Sequence, residues 1–386
     1  MAAACLVVLT SVVLAACGTT NDKSPAPRST VYRWGVVGNR GAITRLERDS
    51  PTPVAGIKGK VVQIATSNSD GYALTSTGIV YGWGVNSYGE LGDRRLTPYE
   101  TKAVKVDFPA GTRITQLADP MPFDAGLAID SDGNLWGWGV NTANELCLSG
   151  PSVVTRPTQL PVHGVTLATG AARHVVFDAG GTVYACGQGL AGQLGDGTFT
   201  RSATPVAVVG LPAGSVKALT SSWMGSGALM SNGSYYDWGY NAAGQLGNGT
   251  TTKSAVPVLV PLPGPVAQAS MGGSTAANGQ TVVLLTNGQV WTWGNGTFGQ
   301  MGNGTTQSSS TPVQVLPHGG AGWVFVNSGG SASYAIDATG TLWSWGRNDV
   351  GQLGTGRKPK TTATPLHVGV TMTKVSATAD NVAGLR

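Results

Sequence analysis

The chain has 386 residues, of which 58 are glycine and only 11% are charged. Soluble domains usually carry about 25% charged residues and about 7% glycine, so this profile excludes a coiled coil, a helical bundle or a charged disordered tail. A hydrophobic content of 41% and a net charge of +5 leave a globular protein of many short strands and tight turns.

The chain opens with an apolar segment, residues 1–16, that contains no charged residue. It is too short to span a bilayer but suits the central region of an export signal. The four residues that end in Cys17 read LAAC and resemble the lipobox at which bacterial lipoprotein signals are processed. Small residues give the peptidase access to the backbone, and the cysteine thiol is alkylated. We therefore predict a signal peptide over residues 1–16 and a lipid, such as palmitate, on Cys17.

The next segment supports the same cellular location. Residues 17–30 would be the lipidated cysteine and a polar, flexible tether rich in Ser, Thr and Pro. Two or three acyl chains anchor a protein stably. We expect a lipid-anchored protein facing outside the cytoplasm, on the cell membrane or, because Gly18 is not aspartate, on an outer membrane. No Lys or Arg precedes the apolar run, although signal peptides normally begin with a basic region, and a mis-assigned start codon would explain this departure. An ordinary secretory signal with an incidental cysteine is the alternative.

Beyond the tether, one phrase recurs seven times. Its clearest copy is residues 339–356, TGTLWSWGRNDVGQLGTG, and residues 287–304 read NGQVWTWGNGTFGQMGNG. The glycine that ends the Trp-Gly pair, or its Cys-Gly equivalent, falls at positions 35, 84, 139, 187, 239, 294 and 346. These spacings of 48 to 55 residues are typical of propeller blades.

Each copy carries the signals for about four short strands. A turn such as Asn232-Gly233 lies between two hydrophobic runs, which is the strongest short-range indication of a hairpin. Residues 375–385 stop where other copies continue into the Trp-Gly strand, and residues 31–35 supply that missing half. We therefore predict an all-β, seven-bladed β-propeller over residues 31–386, with four-stranded antiparallel blades closed by pairing of the N- and C-terminal strands.

The Trp-Gly-x-Asn-x-x-Gly-Gln-Leu-Gly phrase closely resembles the regulator of chromosome condensation repeat family over residues 31–386. The resemblance implies a seven-bladed propeller that works mainly as an interaction surface. It also implies possible uses in nucleotide exchange on a small GTPase, ultraviolet sensing or enzyme inhibition. Export disfavours the exchange reaction, and the photoreceptor's Gly-Trp-Arg-His-Thr run is absent. We expect the motif tryptophans to fill the spaces between blades instead.

No motif in the sequence demands catalysis, a metal or a cofactor. Asp130-Ser131-Asp132-Gly133 lacks the remaining ligands of a calcium loop and is better explained as a hairpin turn. The histidines are far apart and lack metal-ligand spacing. Two short basic clusters, at 94–95 and 357–360, are predicted to be solvated loops, and we expect no nucleic-acid partner.

Two cysteines remain after the predicted processing. Cys147 replaces the last glycine of one Gln-Leu-Gly phrase, and Cys186 replaces the tryptophan of the next Trp-Gly pair. An exported protein meets oxidising conditions, so a disulfide between neighbouring blades is one hypothesis. Two small buried hydrophobic residues are the other.

The expected function is that of a monomeric scaffold that binds an unknown protein or cell-wall partner through its loops. The longest segments between motifs, 92–126 and 249–280, are the candidate contact surface. Within them we single out Tyr99, Pro120, Met121 and Phe123. A secreted enzyme or enzyme inhibitor is the alternative and predicts a concave pocket of convergent polar groups. A guanine-nucleotide-exchange-like regulator and a purely structural envelope component are further alternatives.

Overall fold

The computed structural model describes residues 29–37, 46–356 and 358–386. These residues form seven antiparallel sheets of four strands each, which we number as blades in chain order. Blade 1 combines the first and last strands of the chain. Its strands are β27 (Lys374–Thr378), β28 (Asn381–Leu385), β1 (Val31–Val37) and β2 (Leu46–Pro53).

The other six blades are continuous in sequence. Blade 2 comprises β3 (Val61–Thr66), β4 (Asp70–Thr75), β5 (Val80–Asn86) and β6 (Thr97–Lys105). Blade 3 comprises β7 (Ile114–Leu117), β8 (Ala125–Asp130), β9 (Leu135–Val140) and β10 (Val153–Gln159). Blade 4 comprises β11 (Val165–Ala171), β12 (His174–Ala179), β13 (Thr182–Gly187) and β14 (Ser202–Ala207).

Blades 5 to 7 follow the same plan. Blade 5 comprises β15 (Val216–Ser222), β16 (Gly225–Met230), β17 (Tyr235–Gly239) and β18 (Ser254–Leu259). Blade 6 comprises β19 (Val266–Gly272), β20 (Gln280–Leu285), β21 (Val290–Gly294) and β22 (Ser309–Gln314). Blade 7 comprises β23 (Trp323–Ser328), β24 (Ala332–Asp337), β25 (Thr341–Arg347) and β26 (Thr361–Thr371).

The first strands of successive blades pack against one another at the centre of the ring, except that β11 of blade 4 packs against β8 of blade 3, and the fourth strands lie at the periphery. The second strands, such as β16, are buried along their whole length, whereas fourth strands such as β14 are partly exposed. The seven-bladed, four-stranded architecture predicted from the repeat spacing is therefore confirmed.

The ring closes within blade 1. Strand β1 pairs antiparallel with β28, so that Val31 lies opposite Leu385. The pairing continues just beyond the strands, where the amide of Arg386 donates to the carbonyl of Thr30 at 3.0 Å. The predicted closure by N- and C-terminal strands is confirmed, and it leaves neither β1 nor β28 as an unpaired edge strand.

The ring has two distinct faces. The mouth face carries the loops that join first to second strands and third to fourth strands, including Asn68, Phe123 and Trp223. The base face carries the turns between second and third strands and the connections between blades. Strand β1 runs towards the mouth face, so Thr30 lies at the base face.

Five of the motif tryptophans bind their blade to the preceding one through the indole N–H. The indole Nε1 of Trp138 donates to the carbonyl of Glu90 at 2.7 Å, and that of Trp345 donates to the carbonyl of Gln300 at 2.9 Å. Trp34, Trp238 and Trp293 make the same bond to the equivalent position of the preceding blade. All five side chains are fully buried. The expectation that they fill the spaces between blades is confirmed.

The cysteine positions follow from this tryptophan contact. Gly302 has φ +65°, and a Cβ there would lie 2.6 Å from Nε1 of Trp345. At the equivalent junction of blades 3 and 4, Cys147 keeps a positive φ of 55° and Cys186 stands in place of the indole. The structure joins the two cysteines, with a Cα–Cα distance of 5.6 Å. The fold therefore allows the bridge hypothesised from the sequence.

Residues 1–28, with the predicted signal peptide, Cys17 and most of the tether, lie outside the described residues. Within the described ranges, helical structure amounts to the 3-10 turn Ala276–Asn278. No helix in that part of the chain has the length and apolar character needed to cross a membrane.

Candidate interaction site at the mouth of the ring

A concave cavity of about 310 Å³ opens on the mouth face, above the centre of the ring. Loops or strand ends from blades 1 to 6 contribute to it, so its shape depends on closure of the ring. The side chains that carry chemistry are Asn68, Phe123, Asp124, Glu145, Arg173, Trp223, Ser274, Thr275 and Asp380.

One wall of the cavity is aromatic. Phe123 belongs to the long β7–β8 loop, and its amide donates to the carbonyl of Ala172 in blade 4 at 3.1 Å. Trp223 belongs to the short β15–β16 turn of blade 5. Their ring centroids are 5.0 Å apart at an interplanar angle of 68°, an edge-to-face pair. Both residues are half-buried, so this apolar wall remains accessible.

The loops around the cavity adopt unusual backbone conformations. Asp124, Ala172 and Ala379 have φ values of 57°, 47° and 51°, which is the left-handed region. These are three of the six non-glycine residues with positive φ in the described ranges, and all three line the cavity. Such conformations persist only where the surrounding structure enforces them, and they concentrate at functional sites.

The charges around the cavity are mostly negative. Asp124, Glu145 and Asp380 supply carboxyl groups, and Arg173 is the one basic residue among the lining residues described. The Arg173 side chain is exposed, and its Nη1 donates to Thr142 Oγ1 at 2.7 Å. The guanidinium is thus held on the rim in blade 3, and the lining carries an excess of acids.

Glu145 is the least exposed of these acids. Its Oε2 accepts the amide of Ala143 at 2.6 Å, just as Oε1 of Gln193 accepts the amide of Ala191 at 2.9 Å in the next blade. Glu145 is 0% exposed, and its Oε1 has no hydrogen-bond partner within the described structure. Burial raises the pKa of this carboxyl, against the lowering effect of its backbone bonds. Glu145 therefore keeps one unpaired acceptor oxygen closed off from solvent beneath the wall of the cavity, where a ligand can reach it only if the wall opens locally.

Further carboxyl groups lie nearby. Burial raises the pKa of Asp124, although hydrogen bonds from Ser69 and Asn68 lower it. Burial, together with the charge of Asp124, raises the pKa of Glu90 to about 7, against its backbone bonds. Burial and the charge of Glu90 also hold the pKa of Asp70 well above its usual range. Blades 2 and 3 thus concentrate acidic groups beneath one side of the mouth.

The four predicted contact residues lie in different environments. Phe123 lines the cavity, so the candidate loop does reach the mouth. Met121 is 0% exposed and packs in the core, and Pro120 is also buried. The expectation that these two side chains contact a partner is corrected here, because no surface of Met121 faces solvent. Tyr99 lies on the peripheral strand β6, where its hydroxyl accepts a bond from Arg33 at 2.7 Å.

Sequence reasoning missed Asp124, Glu145, Arg173 and Trp223. One signal was available for Glu145, because blades 4 to 7 carry Gln at the equivalent position: Gln193, Gln245, Gln300 and Gln352. Asp124 also lies within the predicted contact segment 92–126. Nothing in the local sequence marked Trp223 or Arg173, which reach the mouth only because the ring closes.

The remaining motifs are placed as follows. Asp130 Oδ1 accepts the amides of Asp132 and Asn134, both at 2.9 Å, and Gly133 has φ +76°, so the hairpin interpretation is confirmed. In the described part of the chain, no group of three or more His, Cys, Asp or Glu residues could hold a metal ion. Arg94 is exposed and paired with Asp107, as a solvated loop requires.

A sequence model described as "Regulator of chromosome condensation (RCC1) repeat" matches residues 232–277, 287–336 and 339–383. A second model of the same description matches residues 266–300 and 323–352. These matches support the RCC1 repeat family.

Two curated proteins are similar to the chain over a longer stretch. The chain is 29% identical to the ultraviolet-B receptor UVR8 of Arabidopsis thaliana, covering 77% of this chain and 68% of the receptor. It is 27% identical to the human E3 ubiquitin-protein ligase HERC2, covering 77% of this chain but 6% of the ligase. The chain thus spans a small part of HERC2.

Solved structures share the fold. Human WBSCR16 superposes with a TM-score of 0.79 at 22% identity, covering 92% of this chain and 98% of that one. Prp20p from Saccharomyces cerevisiae, described with its binding to Gsp1p and histones, gives 0.78 at 20% identity, covering 93% and 91%. At these identities the likeness concerns the propeller fold alone.

Proposed function

We propose that this protein is a lipid-anchored, extracytoplasmic RCC1-like propeller that binds a protein or cell-envelope partner through its mouth face. The observation that carries the proposal is the mouth cavity, which blades 1 to 6 build together and which combines an aromatic pair with acidic groups. Half-buried aromatic residues at the centre of a rigid concave surface are characteristic of binding hot spots.

Binding is favoured over catalysis by the composition of the cavity. The lining residues described include neither histidine, cysteine nor lysine that could activate Ser274 or Thr275 as a nucleophile. The left-handed conformations of Ala172 and Ala379 hold the loops in place, and preorganised loops lose less entropy on binding. RCC1-like relatives named for partner binding, such as Prp20p with Gsp1p and histones, are consistent with this role.

A secreted enzyme inhibitor is the second candidate. An inhibitor is expected to have a concave pocket of convergent polar groups on one face, and the mouth cavity has this form. An inhibitor would use the same surface to bind its enzyme, so both candidates place the contact at the mouth. A nucleotide-exchange-like role is disfavoured because its GTPase substrate would lie in the cytosol.

The binding proposal is tested by crosslinking in intact cells that carry the native anchored protein. The variant Phe123→Ala/Trp223→Ala should lose the specific crosslinked partner, because both rings would leave the cavity. The matched control, Leu259→Ala, removes an exposed apolar side chain from the peripheral strand β18 and should retain the partner. A partner that both variants capture equally would place the contact elsewhere, and no specific partner for wild type would contradict the binding role.

The anchor is tested separately. Radiolabelled palmitate should enter the wild type and should not enter Cys17→Ser, since the thiol is the acceptor of the lipid. Fractionation should then move the variant from the membrane to the soluble fraction. Equal labelling of the two proteins would contradict the lipoprotein assignment without affecting the binding test.

A further inference from the structure

We infer that the mouth cavity is a receptor for one arginine side chain displayed by the partner, with its guanidinium beside Glu145 and Asp124 and its stem against Phe123 and Trp223. This inference deepens the proposed binding function and rests on it. It assigns a chemical class of ligand to a cavity whose contents the fold alone does not indicate.

The size of the cavity fits such a ligand. Pockets that enclose small molecules and cofactors usually measure about 300–1,000 Å³, so 310 Å³ lies at the lower limit. A large cofactor would not be enclosed, whereas one long side chain would be. Two polar side chains lie near the opening: Asn68 is bonded to Asp124, and Ser274 accepts a bond from Asn278 at 3.1 Å, which leaves its hydroxyl hydrogen for the adjoining backbone of a peptide.

The charges around the cavity select a cation. Three of its four charged lining residues are acids, although the whole chain carries a net charge of +5. Arg173 is bonded to Thr142 on the rim, and its charge lowers the pKa of both Glu145 and Asp124, but one cation does not balance three acids. Glu145 is fully buried and retains an acceptor oxygen, Oε1, without a partner. A buried acceptor of this kind is costly unless a donor reaches it, and a guanidinium brings several donors.

The aromatic pair suits the same ligand. In an edge-to-face pair, the edge of one ring covers one face of the other ring. The remaining faces of Phe123 and Trp223 can therefore contact a cation. Arginine stacks on aromatic rings and also binds carboxylates in a planar, two-bond geometry. The same face of the ring already shows one such contact, where Lys253 Nζ lies 4.2 Å from the centroid of Phe199.

The surroundings favour a side chain carried by a protein over a free amine. Exposed apolar residues stand on the mouth face beyond the cavity, in the loops between third and fourth strands: Tyr88, Leu190 and Phe199. A free amine would leave these residues unused. A partner protein that inserts an arginine can cover them at the same time, which is the arrangement of a central anchor with a surrounding rim.

The repeats supply a matched test of Glu145. Glu145→Gln introduces the residue found at this position in blades 4 to 7, where Gln keeps the same backbone bond, so the fold should be retained. Glu90→Gln makes the identical change one blade earlier. Glu90 is equally buried but does not line the cavity. The two variants therefore separate a local contact from a general loss of acidic charge.

The probe is a short acetylated and amidated peptide with one central arginine, titrated by calorimetry into the full-length protein. Its citrulline analogue has nearly the same shape but is neutral, and should bind about tenfold more weakly because the charged hydrogen bonds are lost. Glu145→Gln should weaken binding of the arginine peptide by a similar factor and leave the affinity for the citrulline peptide unchanged. Glu90→Gln should change the affinity for the arginine peptide less than about twofold.

Four results would overturn the inference. Equal binding of the arginine and citrulline peptides would exclude recognition of charge. Equal weakening by Glu145→Gln and Glu90→Gln would show that the effect is not local. Free arginine binding as tightly as the peptide would assign the cavity to a small amine. If the peptide fails but mouth-dependent crosslinking in cells persists, the proposed binding function stands and only the arginine assignment is wrong.

Discussion

At the scale of single residues, the substitution of Gln by Glu in blades 2 and 3 has a consequence for stability. Gln352 uses its amide to donate to Asp380 at 3.1 Å, a bond that a glutamate cannot make as a donor once ionised. Glu90 and Glu145 instead bury an oxygen that has no partner within the described residues. Each must be protonated or desolvated as an anion, and both alternatives cost free energy.

The pH dependence of Glu90 follows from its raised pKa. Burial brings the pKa to about 7 from a usual 4.5, so its contribution to the free energy of unfolding is fully present below pH 4.5 and is lost as the pH rises through 7. Glu90→Gln should be more stable than wild type above pH 7, by about 1–3 kcal/mol, and the difference should shrink towards pH 4.5. Denaturant unfolding at several pH values measures this. A difference independent of pH would contradict it.

At the scale of the secondary-structure elements, the junction between third strands and the preceding loops is the repeated unit of assembly. A glycine of positive φ makes room for an indole, and the indole donates to the adjacent carbonyl. Cys147 and Cys186 replace both members of this pair at one junction. Replacing only the glycine would make the new side chain clash with the indole, and replacing only the tryptophan would leave a gap. The two positions should therefore be energetically coupled.

This coupling can be measured by restoring the usual pair. Cys186→Trp alone loses the disulfide and forces an indole against the Cys147 side chain, so it should be destabilised by about 3–5 kcal/mol. Cys147→Gly/Cys186→Trp recreates the glycine and tryptophan of the other junctions and should be more stable than that single variant by about 1–3 kcal/mol. Thermal unfolding of both variants and of Cys147→Gly completes the cycle. If the losses of stability in the two single variants add up to the loss in the double variant, the positions are not coupled.

At the scale of the whole molecule, closure of the ring by blade 1 predicts that the positions of the chain ends can be moved. A permutant that joins Thr30 to Arg386 and opens the exposed connection at residues 208–215 keeps every blade intact. Its melting temperature should fall by no more than about 5 °C. A control opened inside the buried strand β16 should not fold. Failure of the first permutant with native-like folding of the second would contradict this account of closure.

The fold was predictable because every repeat carries its own turn and strand signals, and because residues 31–35 and 375–385 are complementary halves of one such unit. The mouth site was less predictable. Phe123 and Trp223 are 100 residues apart in sequence and meet only across blade 4. Met121, two residues from Phe123, turns into the core instead. Local sequence does not decide which residue of a loop faces solvent, because that depends on neighbouring blades.

The position of Thr30 on the base face has a consequence for orientation at the cell surface. Between Cys17 and Thr30 the chain can extend at most about 45 Å. If a lipid holds Cys17, this tether attaches at the base face and keeps Thr30 within that distance of the headgroups, so the acidic mouth cavity opens on the face opposite the attachment point. A ligand anchored in the same membrane would have to extend around the propeller to reach the mouth cavity. A ligand from the cell exterior, or from a facing membrane, could enter the cavity directly.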